Sequence, residues 1–345
     1  MATVTQLPVP SFFDASKAES VWRVPYGDRA QEANEWKKVH GIRPAATDQV
    51  KVGLLIIDNQ NTFCVPGFEL FVAGRSGNGA VEDTGRLCKF IYENLGVISG
   101  ISATLDTHYT MQIFHPLFWV DQSGNPVSAT TIISHDDVKN GKWRVNPAVI
   151  HWLFKGNESY AQRYALHYTK TLADGGKYPL MVWPYHAMLG GIGHALVSSV
   201  EEALFFHSIA RVSPTRYETK GQNGVTENYS PFEAEVKSSF DGITIQQTNT
   251  GLLKVLTQYD VLAVAGQAKS HCVSWAIDSL LGYITTVDPS LAKKVYLLED
   301  ATSPVVVPGF DFTDQADRAF QRFKDAGMHV VKTTDPIQSW PGVRL

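Results

Sequence analysis

Residues Val261–Leu281 read VLAVAGQAKSHCVSWAIDSLL, and this stretch decides the predicted fold. It begins with an apolar run of strand length that ends at Gly266, and apolar residues then recur at helical spacing. The pattern predicts a buried strand, a turn and a helix, with Cys272 at the strand-to-helix junction. Ligands of parallel α/β sheets bind at such junctions, beyond the carboxyl ends of the strands. Cys272 is therefore a candidate nucleophile, although most free cysteines are small buried hydrophobic residues.

Other segments repeat this alternation of strand and helix. Predicted strands cover Val52–Ile57, Ile101–Leu105, Pro179–Trp183, Thr215–Thr219, Val295–Leu298 and Met328–Lys332. Helical spacing covers residues 81–98, a segment near Ala148–Tyr168, and His194–Val212, Thr250–Tyr259 and Phe312–Ala326. We therefore predict an α/β protein with a mostly parallel, doubly wound sheet that is flanked by helices.

Two regions depart from the alternation. Residues 1–48 carry no sustained periodicity, and we expect an N-terminal extension that wraps the core or contacts another subunit. Residues 118–178 are rich in Gly, Asn and Asp turns, which favours an insertion or lid within a domain of residues 49–345.

Composition limits the classes of function. No run reaches the roughly 18 apolar residues of a membrane helix, and the N-terminus lacks a basic region followed by an apolar core, so we expect a cytoplasmic protein without membrane contacts. Three cysteines are too few for a disulfide framework. Thirty basic and 34 acidic residues without long runs of one sign argue against nucleic-acid binding. Small-molecule chemistry is the expectation.

Three reactive side chains follow predicted strands: Asp58, Lys220 and Cys272. Carboxyl ends of parallel strands lie along one edge of a sheet, so these residues are able to converge. An acid beside a thiol accepts its proton, and an ammonium group stabilises the thiolate. The alternatives are a turn-forming Asp58 and a surface Lys220. Other lysines compete for the cationic role: Lys237, Lys254 and Lys269.

A second set combines a carboxylate with imidazoles. Asp106 and His108 follow a predicted strand, His186 follows Trp-Pro-Tyr after another, and His115 is a possible fourth member. Two or three protein ligands with open positions are typical of a catalytic metal site, and zinc, manganese or iron suits mixed nitrogen and oxygen donors. With 11 histidines in the chain, a chance pairing near an acid is the alternative.

Six motifs occur in a fixed order between Asp58 and Thr302. They are Asp58-x-Gln60-Asn61-x-Phe63, Asp106-x-His108, Trp183-Pro184-x-His186, Lys220 with Tyr229-Ser230-x-Phe232, Gly266-x-Ala268-x-x-x-Cys272-Val273, and Glu299-Asp300-Ala301-Thr302. In this order they make the chain resemble the isochorismatase-like cysteine hydrolases, and within them the nicotinamidases.

The resemblance implies a role for each motif residue. Cys272 would be the nucleophile, Asp58 the base and Lys220 the third catalytic residue. The backbone N–H groups of Ala268 and Cys272 would form the oxyanion hole, with a cis peptide bond between Gln267 and Ala268. Metal ligands and residues flanking the substrate ring are implied as well: Asp106, His108 and His186 for the metal, and Phe63 and Trp183 for the ring.

The implied activity is that of a metal-containing cysteine amidohydrolase, which converts nicotinamide to nicotinate and ammonia through a thioester. The resemblance also implies a divalent metal, zinc before manganese or iron, and a homo-oligomer. Two alternatives stay open. One is a related hydrolase of another amide, carbamoyl or vinyl-ether substrate, since the long segment between His108 and His186 could reshape the pocket. The other is a non-catalytic binding protein.

Overall fold

The computed structural model describes residues 6–345, and its largest sheet has six strands. The strands are, in chain order, β1 (Val52–Ile57), β2 (Ile98–Asp106), β3 (Trp119–Val120), β4 (Ile132–Ile133), β5 (Arg144–Val145), β6 (Leu180–Met181), β7 (Arg216–Lys220), β8 (Val261–Gly266), β9 (Val295–Leu298), β10 (Val306–Val307), β11 (Phe310–Asp311) and β12 (His329–Val331).

The α-helices follow the same numbering. They are α1 (Tyr26–Val39), α2 (Asn61–Cys64), α3 (Gly79–Glu93), α4 (His135–Lys139), α5 (Pro147–Phe154), α6 (Glu158–Asp174), α7 (Ser198–Arg211), α8 (Thr250–Thr257), α9 (Ser274–Val287) and α10 (Thr313–Asp325). Within residues 6–345, none of these helices combines the length and the apolar character needed to span a membrane.

The chain divides into two compact units. The first unit contains the chain up to Leu105 together with Ala195–Glu218 and Thr250–Leu345. The second unit contains Asp106–His194 and Thr219–Asn249, so it includes the predicted insertion and flanking sequence on both sides. The division into residues 1–48 and 49–345 stays a prediction.

The six-stranded sheet has the order β12-β9-β8-β1-β2-β7. Parallel pairing joins β1 to β2 and β8, and β9 to β8 and β12. The chain adds β2 and β7 on one side of β1 and later adds β8, β9 and β12 on the other. The order therefore reverses between β1 and β8, and ligands of open α/β sheets bind beyond the carboxyl ends of strands at such a switch point. The predicted mostly parallel α/β fold is confirmed.

Burial explains why the central strands were readable from the sequence. Every residue of β1 and β8 is buried. Strands covered on both faces carry continuous apolar runs, and VGLLII and VLAVAG are such runs. The core around them takes large side chains from α3 and α7, among them Phe90 and Phe206.

Element boundaries differ from the predictions where polar residues are buried. β1 and β9 have their predicted bounds, but β2 begins at Ile98 rather than Ile101. Ser99 interrupts the apolar pattern, yet it is only 7% exposed, and its hydroxyl accepts the Val52 N–H at 3.1 Å. A polar residue at a buried position thus hid the start of the strand.

The helix predicted near Ala148–Tyr168 is instead two helices, α5 and α6. Lys155 ends α5 in the left-handed conformation with φ of 52°. The Asn157 side chain then starts α6 by accepting the Tyr160 N–H at 3.0 Å. The strand predicted over Pro179–Trp183 is only β6, which pairs antiparallel with β4 in the second unit.

The N-terminal extension contains a helix that its sequence did not predict. Helix α1 is mostly polar, and its N-cap, Pro25, makes no side-chain capping bond. It is fixed by contacts with α7, including a 2.6 Å ion pair between Arg29 Nε and Glu202 Oε1. Tertiary contacts, which no local pattern reports, stabilise this helix.

Candidate active site

Asp58 lies immediately after β1, at the switch point of the sheet. It is fully buried and adopts the left-handed conformation with φ of 46°, an uncommon conformation for a residue with a side chain. The Thr104 hydroxyl on β2 donates to Asp58 Oδ1 at 2.6 Å, and the Asp58 N–H donates to Thr104 Oγ1 at 3.1 Å. These two bonds fix both the backbone and the carboxylate of Asp58.

Gly266 brings the end of β8 against the end of β1. It pairs with Ile57, and a β-carbon at position 266 would lie 2.0 Å from the Ile57 carbonyl oxygen. With φ of 119°, this position also requires glycine for its backbone conformation. The chain then turns through Lys269–Val273, a single π-helical turn, into α9.

Cys272 lies in this turn, as the predicted strand-to-helix junction requires, and is 7% exposed. A carboxylate oxygen of Asp58 and the Cys272 sulfur lie within 4.8 Å of each other. The first unit therefore brings the predicted base and nucleophile together. The peptide bond between Gln267 and Ala268 is cis, as the resemblance implies.

The second unit gathers the predicted metal ligands. Ligand atoms of Asp106, His108 and His186 all lie within 4.8 Å of one another, and all three residues are buried. His108 Nε2 is 2.9 Å from Asp106 Oδ2, and His186 Nε2 is 3.8 Å from the same oxygen.

Each histidine of this cluster has its other ring nitrogen on a backbone carbonyl. The Nδ1 atoms of His108, His186 and His115 lie 3.1, 2.8 and 3.0 Å from the carbonyl oxygens of Gly221, Pro184 and Tyr109. A carbonyl oxygen can only accept a hydrogen bond, so Nδ1 carries the proton in each ring. In His108 and His186, Nε2 is therefore the nitrogen that faces the Asp106 carboxylate. This outer arrangement is typical of metal-binding histidines.

His115 lies beside this cluster, with its ring centroid 5.8 Å from those of His108 and His186. Among the described residues, no group hydrogen-bonds its buried Nε2. Burial, together with the charges of His186 and His108, lowers the pKa of His115 to about 3, so the ring is neutral near pH 7. The nitrogen and oxygen donors of Asp106, His108 and His186 fit a divalent metal.

Electrostatics keep Asp106 ionised. Burial alone would raise its pKa, but His108 and Lys220 hold it well below its usual value. Burial also lowers the pKa of His186, which leaves that imidazole neutral as a metal ligand requires.

Lys220 is the buried member of the four candidate lysines. Its Nζ donates to Asp106 Oδ1 and to the Asn228 carbonyl, both at 2.9 Å. Lys237 pairs with Glu233 and Lys269 with Asp317, while Lys254 is exposed. The surface-lysine interpretation of Lys220 is wrong, and its catalytic role stays a prediction.

The two predicted ring-binding residues are both buried. Phe63 lies on α2 in the first unit and is 8% exposed. Trp183 lies in the second unit, and its Nε1 donates to the Tyr229 hydroxyl at 3.2 Å. Contact of either residue with a substrate stays a prediction.

Sequence reasoning missed Glu227. This carboxyl group is 4% exposed, and burial raises its pKa to about 7 against the opposing charge of His108. Its Oε1 accepts the N–H of Asn228, the residue whose carbonyl binds Lys220. The only sequence signal was its place seven residues after Lys220, inside the Lys-to-Tyr-Ser motif.

No protein-family model and no curated protein sequence matches this chain. Its structure is similar to solved amidases at low sequence identity. The yeast nicotinamidase bound to the inhibitor nicotinaldehyde is 16% identical over 81% of this chain and 99% of that chain, with a TM-score of 0.51. An Acinetobacter baumanii nicotinamidase is 18% identical over 84% and 99%, with a TM-score of 0.49. A Pyrococcus horikoshii pyrazinamidase in complex with zinc is 17% identical over 82% and 99%, with a TM-score of 0.43. The chain therefore has the same α/β fold as the yeast nicotinamidase.

Proposed function

We propose that this protein is a metal-containing cysteine amidohydrolase that hydrolyses a small carboxamide, with nicotinamide as the leading substrate. The observation that carries this proposal is the pairing of Asp58 with Cys272. An oxygen of the buried carboxylate lies within 4.8 Å of the sulfur, at the switch point of the sheet. An acid so close to a thiol is suited to accept its proton.

The first half of the reaction forms a thioester. Asp58 takes the proton of Cys272, and the thiolate attacks the carboxamide carbon. The electron pair of the C=O bond moves to oxygen, where the backbone N–H groups of Ala268 and Cys272 stabilise it. A donor of this kind is typically worth about 3 to 4 kcal/mol. The C–N bond then breaks, and ammonia leaves with the proton held by Asp58.

The second half regenerates the enzyme. Asp58 takes a proton from water, and the hydroxide attacks the thioester carbon. The C–S bond breaks, the carboxylic acid is released, and Asp58 returns its proton to the Cys272 thiolate. Amide and water are thus converted to acid and ammonia, with no other reactant.

The metal would be held by Asp106, His108 and His186, with zinc as the first candidate and manganese or iron as alternatives. When bound, it would supply a Lewis acid for the ring nitrogen of a pyridine substrate, as the resemblance implies. The chain's own part is to hold Nε2 of His108 and His186 toward Asp106 through the Nδ1 contacts with Gly221 and Pro184.

Three further assignments complete the proposal. Lys220 would be the third catalytic residue, supported by its burial and its positive charge. Phe63 and Trp183 would flank the substrate ring. We also propose a homo-oligomer in the cytoplasm, which light scattering and cell fractionation would test.

The test is an ammonia-release screen with purified, zinc-supplemented protein. We expect release from nicotinamide, with pyrazinamide next and aliphatic amides slowest. Release from an aliphatic or carbamoyl substrate alone would keep the amidohydrolase and reject nicotinamide. No release from any amide would reject the proposed activity and favour a binding protein.

A further inference from the structure

The loop after β8 is held by one of its own side chains. Gln267 is fully buried, and its backbone N–H donates to the Ile57 carbonyl at 2.8 Å. Its side-chain Nε2 donates to Asp83 Oδ2 at 2.8 Å, while its Oε1 accepts the Ser303 N–H at 3.2 Å. Both polar atoms of the amide have partners, so the side chain is held in one orientation.

Asp83 is a buried carboxylate that the proposed reaction does not use. It lies on α3 and is 2% exposed, and burial raises its pKa while hydrogen bonds from Ser303, Gln267 and Arg86 oppose that shift. Arg86 Nη2 donates to Asp83 Oδ1 at 2.8 Å. A buried carboxylate is costly unless it is paired and hydrogen-bonded, and here it is both.

Ser303 contacts the same loop a second time. Its carbonyl accepts the Lys269 N–H at 2.8 Å, so its backbone binds residues on both sides of Ala268. Gly79, the first residue of α3, leaves room for the Ser303 side chain, because a β-carbon at position 79 would lie 2.5 Å from Ser303 Oγ. The position of Ser303 against the loop therefore depends both on the lack of a side chain at Gly79 and on the hydrogen bonds of its backbone.

We propose that Asp83 is a positioning residue for the oxyanion hole, acting through Gln267 on the backbone N–H of Ala268. Asp83 touches neither the substrate nor the reacting atoms. This inference rests on the proposed function, because only that reaction gives the Ala268 N–H a catalytic task.

A charged acceptor suits this position. Hydrogen bonds to a carboxylate are shorter and stronger than those to a neutral group. Donors of an oxyanion hole help only when they lie where the charge develops, and small misplacements cost up to about 100-fold in rate. We therefore expect catalysis to be faster when the acceptor for the Gln267 amide is a carboxylate than when it is a neutral amide.

The first test is Asp83→Asn, which keeps the volume and removes the charge. We expect kcat for nicotinamide to fall about 10- to 100-fold, with KM changed less than about twofold. Alkylation of Cys272 by iodoacetamide, quantified by mass spectrometry, should keep its wild-type rate because the nucleophile is untouched. If Asp83 had only a structural role, Asp83→Asn would not lower kcat while leaving KM and the alkylation rate nearly unchanged.

The second test reverses the hydrogen bond. Gln267→Glu alone places two carboxylates against each other and should reduce kcat more than Asp83→Asn does. In the double variant D83N/Q267E, the amide introduced at position 83 would donate to the carboxylate introduced at position 267, and the Ser303 N–H and Arg86 would still have acceptors. We expect kcat of the double variant to exceed that of both single variants, as expected for two residues joined by a hydrogen bond.

The control is Glu202→Gln, which removes a buried carboxylate on α7 that is bonded to Arg29. It should lower the thermal midpoint and leave kcat unchanged. If Asp83→Asn does not fold, Ser303→Ala removes only the hydroxyl bond to Asp83 and should lower kcat about threefold.

Three results would each overturn the positioning role. The first is a wild-type kcat in Asp83→Asn, and the second is a double variant no faster than the slower of its two single variants. The third applies when Asp83→Asn is unfolded, and is a wild-type kcat in Ser303→Ala. These results leave the amidohydrolase assignment intact when the wild-type protein releases ammonia. A wild-type protein that is inactive on every amide overturns both.

Discussion

The Thr104 hydroxyl and Asp58 form a closed pair of hydrogen bonds: the hydroxyl donates to the carboxylate at 2.6 Å and accepts the Asp58 N–H at 3.1 Å. Thr104 lies on β2, next to the strand that carries Asp58. The proposed base is therefore oriented by a residue of the neighbouring strand.

Replacing this hydroxyl should impair both activity and stability. Thr104→Val has nearly the same shape, and we expect kcat for amide hydrolysis to fall about tenfold because Asp58 loses its orientation. The unfolding free energy should fall by about 1 to 3 kcal/mol, since a buried charged acceptor loses its donor. Steady-state kinetics and urea unfolding measure the two effects. As a control, Thr169→Val removes a hydroxyl bonded to its own helix at the Ala165 carbonyl and should leave kcat unchanged.

The proposed nucleophile has a direct test. Cys272→Ala should reduce ammonia release at least about 1,000-fold, because no other group supplies the thioester. Cys88→Ala, at a fully buried cysteine in the core, should lose stability through its cavity and keep its kcat. Full ammonia release by Cys272→Ala from every tested amide would exclude Cys272 as the nucleophile.

The proposed cationic role of Lys220 has a separate readout. In Lys220→Met, the pH at which iodoacetamide alkylates Cys272 should rise, because the thiolate loses a stabilising charge. Lys237→Met is the matched control, since Lys237 is exposed and pairs with Glu233. An unchanged reactivity profile in Lys220→Met would assign the role to another lysine.

Metal binding should be measurable without any assay of activity. We expect about one divalent ion per chain by elemental analysis, and a loss of at least about tenfold in metal affinity for His186→Ala or Asp106→Asn. His329→Ala, outside the cluster, should retain the ion. Chelation should also lower activity or substrate affinity. Identical kinetics in metal-free and metal-loaded protein would remove the metal from the proposed reaction.

A buried histidine in the core predicts a pH effect on stability. Burial lowers the pKa of His207 from 6.5 to about 4, with the nearby Arg211 charge acting in the same direction and Asp48 and the Ile98 carbonyl opposing it. Between these values, the unfolded chain binds a proton that the folded chain does not. The unfolding free energy should therefore fall as the pH drops from 6.5 toward 4, and stay level above 6.5 for this group.

The size of this effect follows from the shift in pKa. The contribution of His207 should reach about 3 kcal/mol at the acid end. His207→Gln removes the titrating ring, so the difference between wild-type and variant stability, measured by urea unfolding from pH 4.5 to 7.5, should change over that window. A difference that is constant across the window would contradict a neutral buried imidazole.

The convergence of Asp58 and Cys272 was predictable because it depends on the topology of the sheet. Apolar runs located β1 and β8, and the parallel order placed Asp58 and Cys272 at neighbouring strand ends. The contacts that orient these residues were not predictable. Thr104 lies inside a predicted strand with no local signal for a hydrogen bond to Asp58.

The predicted metal ligands show the same division. Asp106, His108 and His186 were recognisable as ligand types, but their Nδ1 partners are backbone carbonyls, which every residue carries and no sequence pattern marks. Glu227 and Asp83 were missed for a related reason: an acidic residue is expected at the surface until tertiary structure buries it.

Gly266 has a consequence for how this gene can change. A β-carbon at position 266 would overlap the Ile57 carbonyl, so every missense mutation of that codon would force β1 and β8 apart at their carboxyl ends. Asp58 follows one of these strands and the Cys272 turn follows the other. Position 266 carries no reactive group, yet the proposed activity would depend on its glycine as well as on the residues that carry the chemistry.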